Sequence, residues 1–167
     1  MFICYNKFML KLIYPGTFDP ITKGHTNLIK RLSKMFDKLI LGIYLNKSKK
    51  TLFNIKERIL MSKKVLSKFN NVEIKSFNCL LKEFMLNQHS NVIIKGLRNI
   101  LDFERELRMA SLNLNNKKSV ETFFITSYDK YKFVSSTKVK EIVKLGGNIK
   151  KFVVPYIENN LKKKLNF

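Results

Sequence analysis

Residues 10–25 of the chain read LKLIYPGTFDPITKGH, and this stretch decides the fold. Leu10 to Tyr14 form a short apolar run, as expected for a buried strand. Pro15 and Gly16 follow as a turn signal. From His25 to Met35 apolar residues recur at the three- and four-residue spacing of a helix. A strand, a turn and a helix in this order indicate the first unit of an α/β protein.

The same alternation continues through the rest of the chain. Ten-residue or longer helices between strands imply right-handed crossovers and a mostly parallel sheet covered on both faces. The sequence therefore predicts a three-layer, Rossmann-like α/β fold with a parallel central sheet. The further strands are predicted over 38–44, 72–77, 92–95 and 120–125, and the helices over 25–35, 55–69, 80–88, 103–114, 136–145 and 155–165.

Length and composition fit one globular domain. The chain has 167 residues, of which 45% are hydrophobic and 27% charged, which leaves little room for a second domain. Because the first strand begins right after Met9, we expect residues 1–8 to be a short N-terminal extension, with Met9 as an alternative start. Residues 9–167 are then the single domain. Cys4 and Cys79 show no pairing pattern and no signal peptide is evident, so we expect a cytoplasmic protein.

The formal net charge of +21 is high and would suit a nucleic acid or an anionic membrane as partner. However, lysines are spread over every segment and arginine is scarce, while Asn, Ile, Lys and Phe are all abundant, as in proteins from AT-rich genes. We interpret the excess charge as a solvated surface that also suits small anionic substrates. No membrane and no specific nucleic acid is expected, although a basic nucleic-acid-binding protein remains an alternative.

The loops that follow the strands are the candidate site, because open parallel sheets bind ligands beyond the carboxyl ends of their strands. In the first loop the glycines allow the backbone to approach a phosphate, and Thr17 offers a hydroxyl and an N–H. His25 stands where the next helix begins, and free N–H groups at a helix start attract anions. The same field disfavours a charged imidazole, but the sequence does not assign the protonation state of His25.

The stretch Thr22-Lys23-Gly24-His25 resembles the (T/H)xGH signature of the nucleotidyltransferase superfamily. The preceding Gly16-Thr17-Phe18-Asp19-Pro20 is similar to the bacterial phosphopantetheine adenylyltransferases within that superfamily. Further segments resemble this family in order and spacing from about residue 12 to residue 145: Ser48-Lys49-Lys50 with Lys56-Glu57-Arg58, Ile94-Lys95-Gly96-Leu97-Arg98 with Asp102-Phe103-Glu104 and Glu106, and Tyr131 to Thr137.

Two positions depart from the family pattern. Lys95 stands where the family has an arginine, and lysine keeps the charge but loses the bidentate fork on phosphate. Tyr131 replaces an aromatic residue that is often tryptophan. The lysine substitution bears on acceptor binding, because the resemblance places this position against the substrate.

The resemblance implies a set of site residues around the phosphates of ATP, with Lys23 and Gly24 part of the phosphate loop. His25, as transition-state stabiliser, and Lys49 are the implied catalytic residues. The implied acceptor contacts are Thr17, Lys49, Leu81 and Lys95. The implied ATP contacts are Thr17, Phe18, His25, Gly96, Leu97, Arg98, Glu106, Tyr131, Lys132, Phe133, Val134, Ser135, Ser136 and Thr137.

Each segment also has a plain structural explanation. Residues 47–50 suit a basic surface loop, and Glu106 suits a helix surface beside Arg105 and Arg108. Serines at 135 and 136 suit a helix N-cap, which is compatible with phosphate binding. Position after a parallel strand favours the functional interpretation.

The resemblance implies an adenylyltransferase that joins ATP to 4′-phosphopantetheine, giving dephospho-coenzyme A and pyrophosphate in coenzyme A biosynthesis. The transfer is expected in line and without a covalent intermediate. Mg²⁺ is expected with ATP, no protein metal site is predicted, and the family implies a homohexamer. The alternative within enzymes is another nucleotidyltransferase with a mononucleotide or glycerol-phosphate acceptor.

Overall fold

The structure is a computed structural model that describes residues 10–45, 50–114, 120–131 and 133–166. The expected extension, residues 1–8, lies outside these ranges. Strands and helices alternate as the sequence predicts, with boundaries shifted by up to three residues. The strands are β1 Lys11–Gly16, β2 Lys38–Tyr44, β3 Val72–Phe77, β4 Val92–Leu97 and β5 Glu121–Thr126. The helices are α1 Lys23–Met35, α2 Ile55–Leu66, α3 Leu81–Asn87, α4 Ile100–Leu114, α5 Ser136–Lys144 and α6 Pro155–Leu165.

The strands form one parallel sheet in the order β3-β2-β1-β4-β5. The chain first builds outward from β1 through β2 to β3, and then returns to the other side of β1 with β4 and β5. The direction of winding therefore reverses between β1 and β4. In open α/β sheets the ligand crevice lies at such a switch point, beyond the carboxyl ends of the strands.

Apolar side chains cover the sheet on both faces, which confirms the three-layer α/β class. On one face Leu12 and Leu39, both 0% exposed, belong to a cluster with buried residues of α1, α2, α5 and α6. On the other face Ile13 and Ile40 pack with Phe84 of α3. Successive residues of a strand point to opposite faces, so adjacent residues of β1 serve the two layers. Burying each such side chain contributes about 1.5–3 kcal/mol.

Side-chain caps fix the starts of three helices near the carboxyl edge of the sheet. Thr22 caps α1, Asn54 caps α2 and Ser135 caps α5. A cap of this kind contributes about 0.5–2 kcal/mol and sets the residue at which the helix begins. The N–H groups of these first turns are thereby held in place at the edge where the switch point lies.

None of the helices within the described ranges combines the length and apolarity needed to cross a membrane.

Candidate active site

A cleft of about 360 Å³ opens between the ends of β1 and β4. Its walls come from the loop after β1, the start of α1, the end of β4, one turn of α4 and the start of α5. Segments far apart in the sequence therefore meet at the switch point, in a volume that suits a small-molecule ligand. The sequence-predicted residues that line it are Thr17, Phe18, His25, Lys95, Gly96, Arg98, Glu106, Val134, Ser135, Ser136 and Thr137.

Other predicted site residues lie elsewhere. Leu97 lines a neighbouring apolar depression that shares Arg98 with the cleft. The Phe133 side chain is 74% exposed. Leu81 borders a small cavity whose wall also includes Lys95 and Glu106. Two further predicted residues, Lys49 and Lys132, lie outside the described residues.

Two more residues from the predicted set are not among those that line the cleft. The half-buried Tyr131 packs against the main core cluster. Lys23 turns its ammonium to the backbone carbonyl of Lys150, 2.6 Å away. Gly24, its neighbour in the signature, does line the cleft. The glycine and the histidine of the TKGH stretch thus face the cleft, whereas its lysine fastens the loop to the C-terminal part of the chain.

His25 is oriented by Thr22. The Thr22 backbone N–H donates to His25 Nδ1 at 3.0 Å, and Thr22 Oγ1 lies 3.0 Å from the same nitrogen. The signature is therefore a capping box in which histidine takes the third helical position. Because Nδ1 accepts from an N–H, the proton of a neutral imidazole sits on Nε2. The Nε2–H group is left as the donor for a ligand.

The environment keeps His25 neutral. Burial of the imidazole lowers the pKa of His25 from 6.5 to about 4, and the positive charge of Arg98 adds to this effect. A side chain with this pKa carries no charge near neutral pH. The lowered pKa favours the neutral imidazole, which makes His25 a hydrogen-bond donor through Nε2 rather than a cation.

Phe18 supplies much of the apolar surface around His25. Its ring packs edge-on against Tyr14 at 5.4 Å and against His25 at 5.0 Å between centroids. The Phe18 backbone has φ 48°, in the left-handed region that is strained for a bulky residue. A Cβ atom at Gly16 would lie 2.9 Å from the Phe18 ring, so glycine is required for this ring position.

Gly96 lets β4 end close to helix α1. A Cβ atom at this position would lie 2.6 Å from Leu28 Cδ1 and 3.3 Å from the Tyr14 hydroxyl. A side chain here would push against the buried Leu28 side chain of α1 and the Tyr14 hydroxyl. The close approach explains why a residue without a side chain suits the end of this strand.

Charged side chains of the cleft are paired. Lys95 Nζ lies 2.9 Å from Glu106 Oε2, which joins the end of β4 to α4. Arg98 donates from Nε to Asp102 Oδ2 at 2.9 Å. Sequence reasoning assigned Lys95 and Glu106 to different ligands, whereas the structure shows them as a pair at one point of the wall.

Sequence reasoning missed Asp19 and Lys140 as a pair within the site. Both line the cleft, and Lys140 Nζ lies 2.6 Å from Asp19 Oδ2. Burial alone would raise the pKa of Asp19, but hydrogen bonds from Lys140 and from the amides of Leu52 and Phe53 outweigh it and lower the pKa. Their separation of 121 residues leaves no local signal for this contact.

The start of α5 is hydrogen-bonded to the loop that follows β1. Ser136 Oγ donates to the carbonyl of Pro20 at 2.7 Å, while Ser135 caps the helix by accepting from the Lys138 N–H at 3.1 Å. Two helix starts, α1 and α5, therefore face one cleft. Such starts attract anions through free N–H groups and the helix dipole.

A parallel sheet with this cleft at its switch point has the architecture of the nucleotidyltransferases, and residues 13–142 match the family model described as cytidylyltransferase-like. The chain is 46% identical over 157 residues to the phosphopantetheine adenylyltransferase of Herminiimonas arsenicoxydans, covering 94% of this chain and 96% of that protein. Identity to the same enzyme of Paraburkholderia xenovorans is 44% over 157 residues, covering 94% and 92%. The chain belongs to the cytidylyltransferase-like family and, within it, to the phosphopantetheine adenylyltransferases.

Solved structures share the fold at low sequence identity. The Plasmodium falciparum nicotinic acid mononucleotide adenylyltransferase complexed with NaAD has a TM-score of 0.70 and 18% identity, with 94% of this chain and 96% of that chain covered. A putative nicotinate-nucleotide adenylyltransferase of Vibrio parahaemolyticus has a TM-score of 0.64 and 16% identity, with 92% of both chains covered. At this identity the likeness concerns the fold alone, and it agrees with the predicted Rossmann-like class.

Proposed function

We propose that the chain is a pantetheine-phosphate adenylyltransferase, which converts ATP and 4′-phosphopantetheine into dephospho-coenzyme A and pyrophosphate in coenzyme A biosynthesis. The observation that carries the proposal is that His25, the end of β4 and the start of α5 meet in one cleft. The near-full-length identity to enzymes of this name supports the choice of acceptor.

In this proposal the two helix starts bind the phosphates of ATP. Its phosphates are placed between the first turns of α1 and α5, where Ser135, Ser136 and Thr137 line the cleft. Gly96 of β4 and Arg98 just after this strand also line the cleft, and the proposal places them beside the nucleoside. N–H groups and hydroxyls at these helix starts stabilise phosphate charge, and the lysines proposed below add to this effect.

The chemistry needs positioning and charge stabilisation. A phosphate oxygen of 4′-phosphopantetheine attacks the α-phosphorus of ATP in line, and the bond to the bridging oxygen of the β-phosphate breaks, so pyrophosphate leaves. The attacking group is already a nucleophile, and no covalent enzyme intermediate is required. Nε2–H of neutral His25 donates to a non-bridging α-phosphate oxygen as its charge grows, and Thr17 orients the acceptor phosphate. Lys49 is proposed as the second stabilising donor.

The acceptor arm is placed beside the Lys95–Glu106 pair. Lys95 and Glu106 border both the main cleft and the small cavity that Leu81 and Met109 line. An acceptor whose phosphate lies near Thr17 can extend its pantetheine arm along this wall. In this arrangement Lys95 contributes positive charge to the acceptor phosphate and Leu81 an apolar contact to the arm.

Magnesium is proposed to enter with ATP. Asp19 and Glu106, the carboxylates that line the cleft, are already paired with lysines at 2.6 and 2.9 Å. Within the described ranges no group of three or more His, Cys, Asp or Glu side chains is arranged to hold a metal ion. The donor set fits Mg²⁺ as a partner of ATP, held by phosphate oxygens and water as this ion prefers.

We also propose that the enzyme is a cytoplasmic homohexamer. Strand β5 is an edge of the sheet, and Phe123 on it is 54% exposed. On the neighbouring α4, Leu101 is 70% and Met109 53% exposed. Exposed large apolar side chains at a sheet edge and on the helix beside it support an interface with another subunit. Sedimentation of the purified chain tests the assembly state.

The direct test is pyrophosphate release from ATP with each candidate acceptor. We expect release with 4′-phosphopantetheine and little with nicotinate mononucleotide or glycerol phosphate. Release with a mononucleotide and none with 4′-phosphopantetheine would assign the chain to another acceptor. Absence of ATP binding in calorimetry, with tight and salt-sensitive RNA binding, would favour the nucleic-acid alternative instead.

A further inference from the structure

Asp19 places a buried carboxylate in the cleft wall. Its side chain is 3% exposed and accepts hydrogen bonds from two other segments. Oδ1 accepts the N–H of Phe53 at 2.9 Å, and Oδ2 accepts the N–H of Leu52 at 2.9 Å and the ammonium of Lys140 at 2.6 Å. One carboxylate therefore joins the loop after β1, the segment before α2 and helix α5.

The backbone carbonyl of Phe53 is bound by a second buried charged side chain. Arg58, 1% exposed, donates from Nε to the Phe53 carbonyl at 3.1 Å. The N–H of Phe53 is bound by Asp19 and its C=O by Arg58, so both polar groups of this residue are fixed. The chain is thus anchored a few residues after Lys49, which the proposed function makes a catalytic donor.

The three donors leave Asp19 little capacity for other chemistry. A carboxylate offers about four lone-pair sites, and the donors named above already occupy three of them. Asp19 is therefore poorly suited to act as a general base or as a metal ligand. Its geometry suits the fixing of other groups.

We propose that Asp19 is a positioning residue, whose carboxylate holds the Lys140 ammonium in the cleft wall and anchors the chain at Leu52 and Phe53. This inference rests on the proposed function. An asparagine at this position keeps the size of the side chain, but it loses the charge that binds Lys140 and turns one acceptor oxygen into an NH₂ donor. Displacement of groups around the phosphates by about 1 Å is enough to cost about 10²-fold in rate.

The experiment is a double-mutant cycle in kcat/KM for the adenylyl transfer, with Asp19→Asn, Lys140→Met and the double variant. We expect about a 10²-fold loss in each single variant and no further loss in the double variant, because the two residues act as one unit. Glu158→Gln is the matched control. Its carboxylate is 6% exposed and paired with Lys162 at 2.8 Å, but it does not line the cleft. The control should lower Tm and leave kcat/KM unchanged.

The outcomes separate this inference from the proposed function. A wild-type chain that releases no pyrophosphate with 4′-phosphopantetheine contradicts the proposed function. If the wild type is active and a folded Asp19→Asn enzyme has a kcat/KM within about threefold of the wild-type value, the inference is overturned. Full additivity of the two single losses in the double variant also overturns it.

If Asp19→Asn does not fold, two variants of Lys140 test the inference instead. Lys140→Arg keeps the ion pair and should retain most of the activity and the Tm of the wild type. Lys140→Met should lose about 10²-fold in kcat/KM and should also lower Tm, because it leaves the buried Asp19 carboxylate without its cation. Wild-type activity of Lys140→Met would overturn the inference.

Discussion

Arg58 Nη1 donates a hydrogen bond to the backbone carbonyl of Thr17 at 2.8 Å. The same nitrogen donates to the carbonyl of Tyr44, the last residue of β2, at 3.0 Å. The arginine is 1% exposed, so its guanidinium has little access to water and depends on these carbonyls as partners. Arg58 therefore fixes the backbone from which the Thr17 side chain enters the cleft.

Replacement of Arg58 should cost both stability and activity. Arg58→Lys keeps the charge but cannot reach several carbonyls at once, and a buried carbonyl without a partner costs about 1–3 kcal/mol. We expect a loss of about 2–4 kcal/mol in the free energy of unfolding, measured with urea, together with a raised KM for the acceptor. Arg105→Lys on the exposed face of α4 is the control and should change neither quantity. A stable Arg58→Lys enzyme with normal KM would contradict this role.

The lowered pKa of His25 predicts a pH dependence of stability. The pKa is about 4 in the folded chain and near 6.5 in the unfolded one, so between these values the unfolded chain binds more protons. Stability from this group is fully present above about pH 6.5 and is lost as the pH falls toward 4, by about 3 kcal/mol in all. Urea unfolding of the wild type and of His25→Asn over this range measures the difference.

The asparagine variant lacks the titrating group and should show a correspondingly flatter dependence. An NMR titration measures the pKa of His25 independently. The chain has two histidines, and the His89→Gln variant shows which signal belongs to His25. A His25 signal that titrates near pH 6.5 would refute the neutral imidazole.

Lys95 is one of the two positions at which the sequence differs from the family pattern that it resembles. Lys95→Met leaves Glu106 unpaired beside the place proposed for the acceptor phosphate, so we expect KM for 4′-phosphopantetheine to rise about tenfold or more, with KM for ATP little changed. Lys95→Arg keeps the ion pair and should match or lower the KM of the wild type. Adding Glu106→Gln to Lys95→Met should lower the raised KM in part, because it removes the repulsion between the Glu106 carboxylate and the acceptor phosphate. Equal KM values for Lys95→Met and wild type would remove Lys95 from acceptor binding.

The sequence predicted the fold and the meeting of the site segments for a physical reason. Parallel strands bring their carboxyl ends to one edge, so loops that follow β1 and β4 had to converge. The apolar spacing predicts that α4 starts at residue 103, but the helix begins at Ile100 because the Asn99 side chain accepts the N–H of Asp102 at 2.8 Å. Asparagine three residues before aspartate was a usable capping signal.

The direction of individual side chains and the pairing of distant residues could not be predicted from the sequence. The resemblance implies that residues 131–137 all contact ATP. In the structure residues 134–137 line the cleft, whereas Phe133 is 74% exposed and Tyr131 packs against the main core cluster. Local pattern does not decide which side chains of a turn face inward. The Asp19–Lys140 pair depends on tertiary contact alone, and neither residue carries a local sign of it.

The most direct measurement is the turnover of wild type and His25→Ala with ATP and 4′-phosphopantetheine, followed as dephospho-coenzyme A formed. Loss of the Nε2–H donor should lower kcat by about 10²–10³, or roughly 3–4 kcal/mol of transition-state stabilisation. ATP affinity in calorimetry should remain close to that of the wild type, since the two helix starts still hold the phosphates. Near-normal turnover of the alanine variant, or no dephospho-coenzyme A from the wild type, would contradict the account.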